Sequence, residues 1–441
     1  MIRFLQISDI HFTDVSGADD DYALMKTRFL EDIEECHNQI GKIDYILICG
    51  DIAFSGMESE YNKAREYITK IIEKSGCDKV MMVPGNHDKK WDVYSKTRQM
   101  MKEALLQGKN TKQLLESKVK EPMAVGILYA PFKQYYKLAA EYLSVCDVAR
   151  KASAFPESNQ QMEKMPAFER VDELFWTQQI DDMSGYKVFV HGSNSSLLSD
   201  KNDGESWNMI EGKHLQVLPL QTYNVDAKND EIHIMMLHHP MSEIVDGANI
   251  AKKFDARFKL QLYGHVHKQS SSSDGTVKIY SGAFMPEVDD NPEYFPIYNI
   301  IEIDVVEEGE NPTLKVDVFC RKWDGTKFDE HLEETKMGTQ ALKIQLPQND
   351  AWKRTMERVK NEAVLCIDKP IVPPSPQTSP FAVKNAFLRS GREGIIIKEM
   401  YADKFNGISP NRIKYLTFLK QVEKDGRLEE LNKILNKYDR K

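Results

Sequence analysis

The chain has 441 residues, 41% of them hydrophobic, and a formal net charge of −9. That length sets an expectation of about two to three domains around a sizeable core, and the acidic balance argues against a broad nucleic-acid-binding surface. No run reaches the ~20 apolar residues of a membrane span, so no membrane role is expected. Six cysteines (36, 49, 77, 146, 320, 366) are scattered without a C-x-x-C pair, and Met1 leads almost directly into an apolar run. We therefore expect reduced thiols, no signal peptide and a cytoplasmic location.

In chain order the first half reads β-α-β-α-β. Ile2–Ser8 alternates and is rich in β-formers. A helix is expected near 22–40, where Leu24, Phe29, Leu30, Ile33 and Ile40 are roughly helix-spaced. A buried strand over 44–49, a helix near 58–75 and a strand over 79–84 follow, a spacing that suits right-handed crossovers in a parallel sheet. Residues 89–185 read as largely helical, through Ser95–Ser117 and the aromatic-rich Pro131–Arg150. This block is either an insertion or cap shaping access to a site or a structural elaboration. Strands return at 186–191, 213–218, 231–237, 258–263, 276–281, 297–305 and 313–320, the last two as a hairpin. Ser270–Gly275, four serines followed by Asp-Gly, reads as a mobile turn. A helix is expected over Ala351–Leu365. Lys369–Pro380 is proline-rich and reads as an extended linker.

Residues 381–441 hold 14 Lys and Arg against 8 Asp and Glu, net +6, which leaves −15 on the rest of the chain. Leu416, Leu419, Val422, Leu428, Leu431 and Leu435 fall at mostly helical spacing there. We read this as a basic, mainly helical C-terminal module, small for an independent core and a candidate surface for a protein partner.

Chemistry concentrates in five short motifs: Asp9-Ile10-His11, Gly50-Asp51, Gly85-Asn86-His87-Asp88, His238-His239-Pro240 and Gly264-His265-Val266-His267. Each follows an apolar run that reads as a strand, and ligands of α/β sheets collect at the carboxyl ends of strands. A lone Asp-x-His or Gly-Asp after a strand is ordinarily a turn; five such motifs at five strand ends are not. Imidazoles suit Zn or Fe, and carboxylates and carbonyls suit Mn. Asp9, His11, Asp51, Asn86, His238, His265 and His267 are enough donors for two adjacent ions. Such a pair, about 3.5–4 Å apart, clamps the attacking and leaving oxygens of an in-line displacement.

These five blocks, in this order, resemble the calcineurin-like metallophosphoesterase superfamily over roughly residues 1–330. The resemblance implies an α/β fold of two mixed β-sheets packed as a sandwich and flanked by helices. It implies that Asp9, His11 and His267 hold one metal, that Asn86, His238 and His265 hold the other, and that Asp51 bridges both. His87 would be the general acid or a phosphate contact. His238 rather than His239 is the ligand, because the family pattern is H-x-P with the first His on the metal. No ligand position is substituted, which disfavours a scaffold that has lost its metals.

The expected organisation is a dimetal domain over 1–330 with the insertion at 89–185, a helix and linker over 331–380, and the C-terminal module over 381–441. The expected activity is hydrolysis of a phosphodiester, nucleotide-like, by a metal-bridging hydroxide, with two divalent ions, Mn ahead of Fe or Zn. The alternatives are a nuclease using the basic tail on DNA or RNA, a phosphomonoesterase, and a scaffold recruiting partners through the tail. Asp88 either orients His87 or caps the next segment. His239 reads as a residue supporting the ligands from behind or a packing residue, and His191 as a satisfied loop histidine, with a place facing the substrate as its alternative. His37, His214, His233 and His331 have no ligand context.

Overall fold

A computed structural model describes residues 1–14, 22–93, 95–98, 100, 127–142, 175–199, 218, 225–245, 247–285, 295–309, 311–330, 339–367, 396, 400, 418–419, 421–422 and 424–438. The strands are β1 (Ile2–Ile7), β2 (Tyr45–Ile48), β3 (Val80–Met82), β4 (Phe175–Gln179), β5 (Lys187–Ser193), β6 (Glu231–Met236) and β7 (Phe258–Tyr263). They continue with β8 (Ser270–Ser273), β9 (Val277–Tyr280), β10 (Ile297–Glu308), β11 (Asn311–Trp323), β12 (Phe328–Glu330) and β13 (Thr339–Gln345).

Two mixed sheets form, as expected. One has the order β12-β11-β10-β1-β2-β3, with β13 also paired to β11; the other has the order β4-β5-β6-β7-β9-β8. Within the first, β1, β2 and β3 run parallel; within the second, β5, β6, β7 and β9 do. β2 and β3 are buried throughout, and β1, β6 and β7 at all but one position each, because parallel strands covered on both faces are nearly continuous apolar runs. Phe284 and Met285 donate their backbone N–H groups to Ser8 O and Asp9 O, tying the second half of the chain to the end of β1.

Helices α1 (Ala23–Ile40) and α2 (Glu58–Ser75) are the crossovers between the parallel strands. The buried stripe of α1 is Met25, Phe29, Ile33 and Cys36, while Leu24 points outward. Asp32 on the same helix is buried and accepts from Arg321 Nε at 3.0 Å, and Tyr298 O–H donates to it as well. This charged network pins α1 to β10 and β11.

Three expectations change. Residues 89–185 are not all helical: α3 (Lys133–Tyr142) is a helix, but β4 is a strand antiparallel to β5. Its Trp176 lies against Gly192, where a Cβ would come within 2.1 Å of the indole. The serine run is no free turn. Ser270–Ser273 pairs antiparallel with β9, which supplies the backbone partners, and Gly275 at φ +72° makes the bend. Small polar residues suit a strand at a sheet edge. The body also extends beyond 330, since β13 pairs with β11 from Thr339↔Phe319 to Gln345↔Thr313. The strand expected at 213–218 lies outside the described residues apart from Leu218, and Lys369–Pro380 lies wholly outside them.

The chain divides into two compact units, Met1–His331 with Thr339–Thr355, and Leu332–Gly338 with Met356–Lys441. The helix expected near 351 is α4 (Asp350–Ile367). The second unit has its own small core of Ile396, Met400, Phe418, Leu419, Val422, Leu431 and Leu435, the last two on α5 (Leu428–Tyr438). No helix among the described residues is long and apolar enough to cross a membrane.

His191 is not in a loop. It lies in β5, and a hydrogen-bonded row runs from Thr177 Oγ1 to His191 Nδ1 at 2.8 Å and from His191 Nε2 to His233 Nδ1 at 2.8 Å. His233 Nε2 continues it to Glu231 at 3.1 Å. Burial, helped by His233, pushes His191 down to about 3. The unfolded chain therefore binds this proton first, so the stability is fully present above pH ~6.5 and is lost as pH falls toward 3. Between pH 7.5 and 5.5 one such histidine costs about 1.4 kcal/mol. Urea denaturation of His191→Gln should show a pH slope shallower by that amount; an unchanged slope would mean that His191 is not held neutral.

Candidate metal centre

The five motifs converge because the strand ends that carry them lie side by side. Beyond β1 and β2 the chain continues in parallel: Asp9 N–H donates to Gly50 O at 3.0 Å, and Ile10 and His11 N–H to Asp51 O at 2.8 and 3.0 Å. Beyond β6 and β7, Gly264 N–H donates to His238 O at 3.1 Å. Gly50, at φ +98°, has no room for a side chain: a Cβ would sit 2.5 Å from His238 Nδ1. A Cβ on Gly85 would sit 2.0 Å from Asp51 Oδ1. Among the described residues, six that are not glycine have positive φ: Asp9, His11, Asp51, Ser184, His265 and His267. Five of these six belong to the motifs, so left-handed strain is concentrated where the site is.

Asp51 is the hub. Its Oδ2 lies 3.2 Å from both His11 Nε2 and His238 Nε2, and its Oδ1 accepts the His87 backbone N–H at 2.8 Å. Asn86 Oδ1 lies 3.0 Å from His238 Nε2. Asp9 Oδ1 lies 3.3 Å from His267 Nε2, and Asp9 Oδ2 accepts the His265 backbone N–H at 3.1 Å. Asp9, His11 and His267 offer donor atoms within 4.8 Å of one another, as do Asp9, Asp51 and His238. So do His11, Asp51 and His87, and so do His238, His239 and His265, which puts His239, read from the sequence as a packing residue, beside the donors. All seven residues singled out as ligands are thus in one cluster. His238 Nδ1 lies 2.9 Å from the Cys49 carbonyl, which can only accept, so Nδ1 carries hydrogen and Nε2 is the nitrogen that faces Asp51 and Asn86.

The electrostatics fit divalent cations. Burial alone would raise Asp51, but His238, His87 and His11 hold its carboxyl well below the usual range. Burial would likewise raise Asp9, yet the contact with His267 brings it to about 2. Burial would lower His238, and the Asp51 charge instead lifts it to about 10. His11 is raised for the same reason against its burial. A buried pocket that draws protons onto imidazoles this strongly gives the same stabilisation to a metal ion, which displaces those protons. His11 Nδ1 and His239 Nε2 are buried without a hydrogen-bond partner. The mixture of imidazole, carboxylate and amide oxygen suits borderline ions.

His87 Nδ1 lies 2.8 Å from the Phe54 carbonyl, so Nδ1 donates and the neutral ring's lone pair lies on Nε2. Its ring sits 4.7 Å from that of His11. The half-buried rings of Phe54 and Trp91 flank it at 5.3 and 5.2 Å. Trp91 Nε1 donates to Asn86 O at 3.1 Å, which fixes the indole to the loop carrying Asn86.

Sequence reading left the role of Asp88 open and missed three other residues. Asp88 caps not the next segment but the chain before it. Its Oδ1 accepts the Ile52 and Ala53 N–H groups at 3.0 Å and Tyr61 O–H at 2.7 Å, and its Oδ2 accepts Gly85 N–H at 2.9 Å. It clamps the two motif loops together, and burial beside Asp51 raises it to about 6. Lys89 is buried, with Nζ donating to Leu197 O at 2.9 Å and Ser199 O at 2.6 Å. Ser195 Oγ, on the same segment, accepts the His239 backbone N–H at 3.0 Å and lies 2.9 Å from His239 Nδ1. Glu243 Oε2 lies 3.0 Å from His265 Nε2. None of Lys89, Ser195 and Glu243 sits inside a motif, so spacing alone could not flag them.

The fold and site define a class: a two-sheet α/β sandwich whose parallel strand ends gather histidines and carboxylates into one buried cluster. The calcineurin-like phosphoesterase profile matches residues 2–269, and the chain belongs to that family, whose members are metal-dependent phosphoester hydrolases with a dinuclear divalent-metal centre. It is 26% identical over 309 residues to YydB, an uncharacterized metallophosphoesterase-like protein of Bacillus subtilis (strain 168), a match over 67% of this chain and 56% of that one. The match thus spans little more than half the relative's length. Among solved structures, a conserved uncharacterized protein of Streptococcus pneumoniae TIGR4, described as a predicted phosphoesterase, aligns at a TM-score of 0.27 and 11% identity. That alignment covers 78% of this chain and 97% of the other. A purple acid phosphatase from yellow lupin (Lupinus luteus) seeds aligns at 0.35 and 13%, over 78% and 53%.

Proposed function

We propose that the chain hydrolyses phosphodiesters, with Asp9, His11 and His267 holding one divalent ion, Asn86, His238 and His265 a second, and Asp51 shared between them. The observation that carries this is Asp51 itself: one buried carboxylate oxygen equidistant from His11 and His238, which lie in the two halves of the donor set. When bound, two such ions neutralise phosphoryl charge and activate a water for in-line attack. Manganese is the ion we favour, with iron or zinc as alternatives, given two carboxylates and an amide among the donors.

The protein's own part is orientation and proton transfer. His87, with Nδ1 committed to the Phe54 carbonyl, delivers a proton from Nε2 to the leaving oxygen or donates to the phosphate. The aromatic faces of Phe54 and Trp91 beside it favour a substrate whose leaving group carries a planar ring, as a nucleotide does. Replacing His87 by Asn should leave metal loading intact and slow turnover by about 10²–10⁴-fold. Unchanged turnover in a stopped-time assay removes His87 from the reaction.

The direct test of substrate class compares bis-p-nitrophenyl phosphate with p-nitrophenyl phosphate on the Mn²⁺-loaded protein. Preference for the diester supports the phosphodiesterase reading, and preference for the monoester makes the enzyme a phosphatase. A second reading, a nuclease, rests on the +6 charge of residues 381–441. It requires salt-sensitive DNA or RNA binding that disappears when those residues are deleted. The same tail is the candidate site for a protein partner. Free buried Cys36, Cys49, Cys77 and Cys320 support a cytoplasmic location.

A further inference from the structure

Glu243 belongs to none of the five motifs, yet its carboxylate Oε2 is 3.0 Å from Nε2 of His265. The chain brings it there by a tight turn. After His238-His239-Pro240, a single 3-10 turn, Met241–Glu243, is closed by Glu243 N–H donating to Pro240 O at 3.0 Å. Gly247 then donates to Ile244 O at 2.9 Å, and a Cβ there would come within 1.8 Å of the Met241 carbonyl. This compact turn returns the residue five positions after His238 to the loop that carries His265.

His265 is held at two points. Its backbone N–H donates to Asp9 Oδ2 at 3.1 Å, which anchors a main chain at φ +66°. Its ring is held by Glu243. A carboxylate only accepts, so a hydrogen on Nε2 is what makes this 3.0 Å contact favourable, and a neutral ring with its hydrogen there has its lone pair on Nδ1. Nδ1 is then the nitrogen His265 has left to offer an ion. The neighbouring His238 has the opposite assignment: the Cys49 carbonyl engages Nδ1 and leaves Nε2. The two imidazoles thus present different nitrogens, each chosen by the acceptor behind it.

We propose that Glu243 is a positioning residue of the metal centre: by accepting from His265 Nε2 it selects the tautomer and ring orientation in which Nδ1 binds the second ion. The proposal rests on the dimetal reading above. Partners of this kind behind a ligating histidine are worth about 10–100-fold in metal affinity. Glutamine at this place retains an oxygen that accepts from Nε2, whereas alanine does not.

The experiment uses the full chain, stripped of metal and titrated with Mn²⁺ alone, reading free Mn²⁺ by its electron paramagnetic resonance signal. The wild type should take up two ions. Glu243→Ala should bind one of the two about 10–100-fold more weakly and the other unchanged, with Glu243→Gln between Ala and wild type. Nitrogen-15 spectra of the metal-free protein should show His265 protonated on Nε2 in the wild type and a mixture of tautomers in Glu243→Ala. Equal Mn²⁺ affinity in Glu243→Ala and wild type overturns the assignment. So does a Gln variant as weak as Ala, which would make Glu243 a direct ligand whose charge is required. Failure of the wild type to take up any Mn²⁺ overturns the metal-centre reading itself, an outcome distinct from both.

Discussion

Replacing Asp51 by Asn should abolish activity and metal loading together. The side chain keeps its shape and its hydrogen bond to the His87 N–H, but loses the charge that faces His11 and His238. Hydrolysis of the preferred phosphoester should fall by about 10³-fold or more, beyond the loss of a single oxyanion-hole donor. Mn²⁺ content measured on the purified protein should fall in parallel, because Asp51 is the carboxylate common to both halves of the donor set. A second readout is independent of turnover. With the Asp51 charge gone, burial dominates His238, and its titration, followed by nuclear magnetic resonance, should move far below the value of about 10 that Asp51 sustains. A variant that keeps its metals and full activity would remove Asp51 from the centre.

Asp32→Ala should be the most destabilising single substitution outside that centre. Arg321 donates Nε to Asp32 Oδ2 at 3.0 Å, and Tyr298 donates to the same carboxylate. All three residues are buried. Removing the carboxylate strands a guanidinium in the interior, a loss of roughly 3–5 kcal/mol. Urea denaturation reads it directly. The exposed pair Arg28–Glu31, three residues apart on the same helix, is the contrast: breaking it should cost less than about 1 kcal/mol. Replacing both Asp32 and Arg321 by Leu and Met should recover most of the loss, since no charge is then left unpaired. A loss under about 1 kcal/mol for Asp32→Ala would show that apolar packing, through Phe29 and Ile33, is what holds the helix.

Much of the site was legible in one sequence because its chemistry is local to strand ends. An apolar run followed by Gly-Asp or Gly-His-x-His announces both the strand and the donor, and all seven donors named from the motifs lie in one cluster. The residues that were not legible act through tertiary contacts at long sequence separation. Asp88 caps Ile52 and Ala53 from 36 and 35 residues away, and Lys89 reaches Ser199 across 110. Glu243 faces His265 only because a turn folds back.

The fold divides along the same line. Alternation and apolar runs suffice for β1, β2, β3, β6 and β7, and for the helical crossovers α1 and α2, because those signals arise from burial of the element's own side chains. They fail for Ser270–Ser273, which has no apolar pattern and becomes a strand only because β9 offers it a partner. They fail for β13, whose place depends on the free side of β11. His191 was misread because its strand was taken to end at the histidine, whereas β5 continues to Ser193; its neighbours Thr177 and His233 come from two other strands. By itself, then, the sequence pointed to the parallel core, to the histidines and carboxylates that cluster and to the family, all of which follow from periodicity and from residue type at strand ends. Only the tertiary structure decided which acceptor stands beside each of His87, His238 and His265, that Asp88 clamps two loops, and where the sheets end. Those depend on acceptors and partner strands that no local pattern encodes.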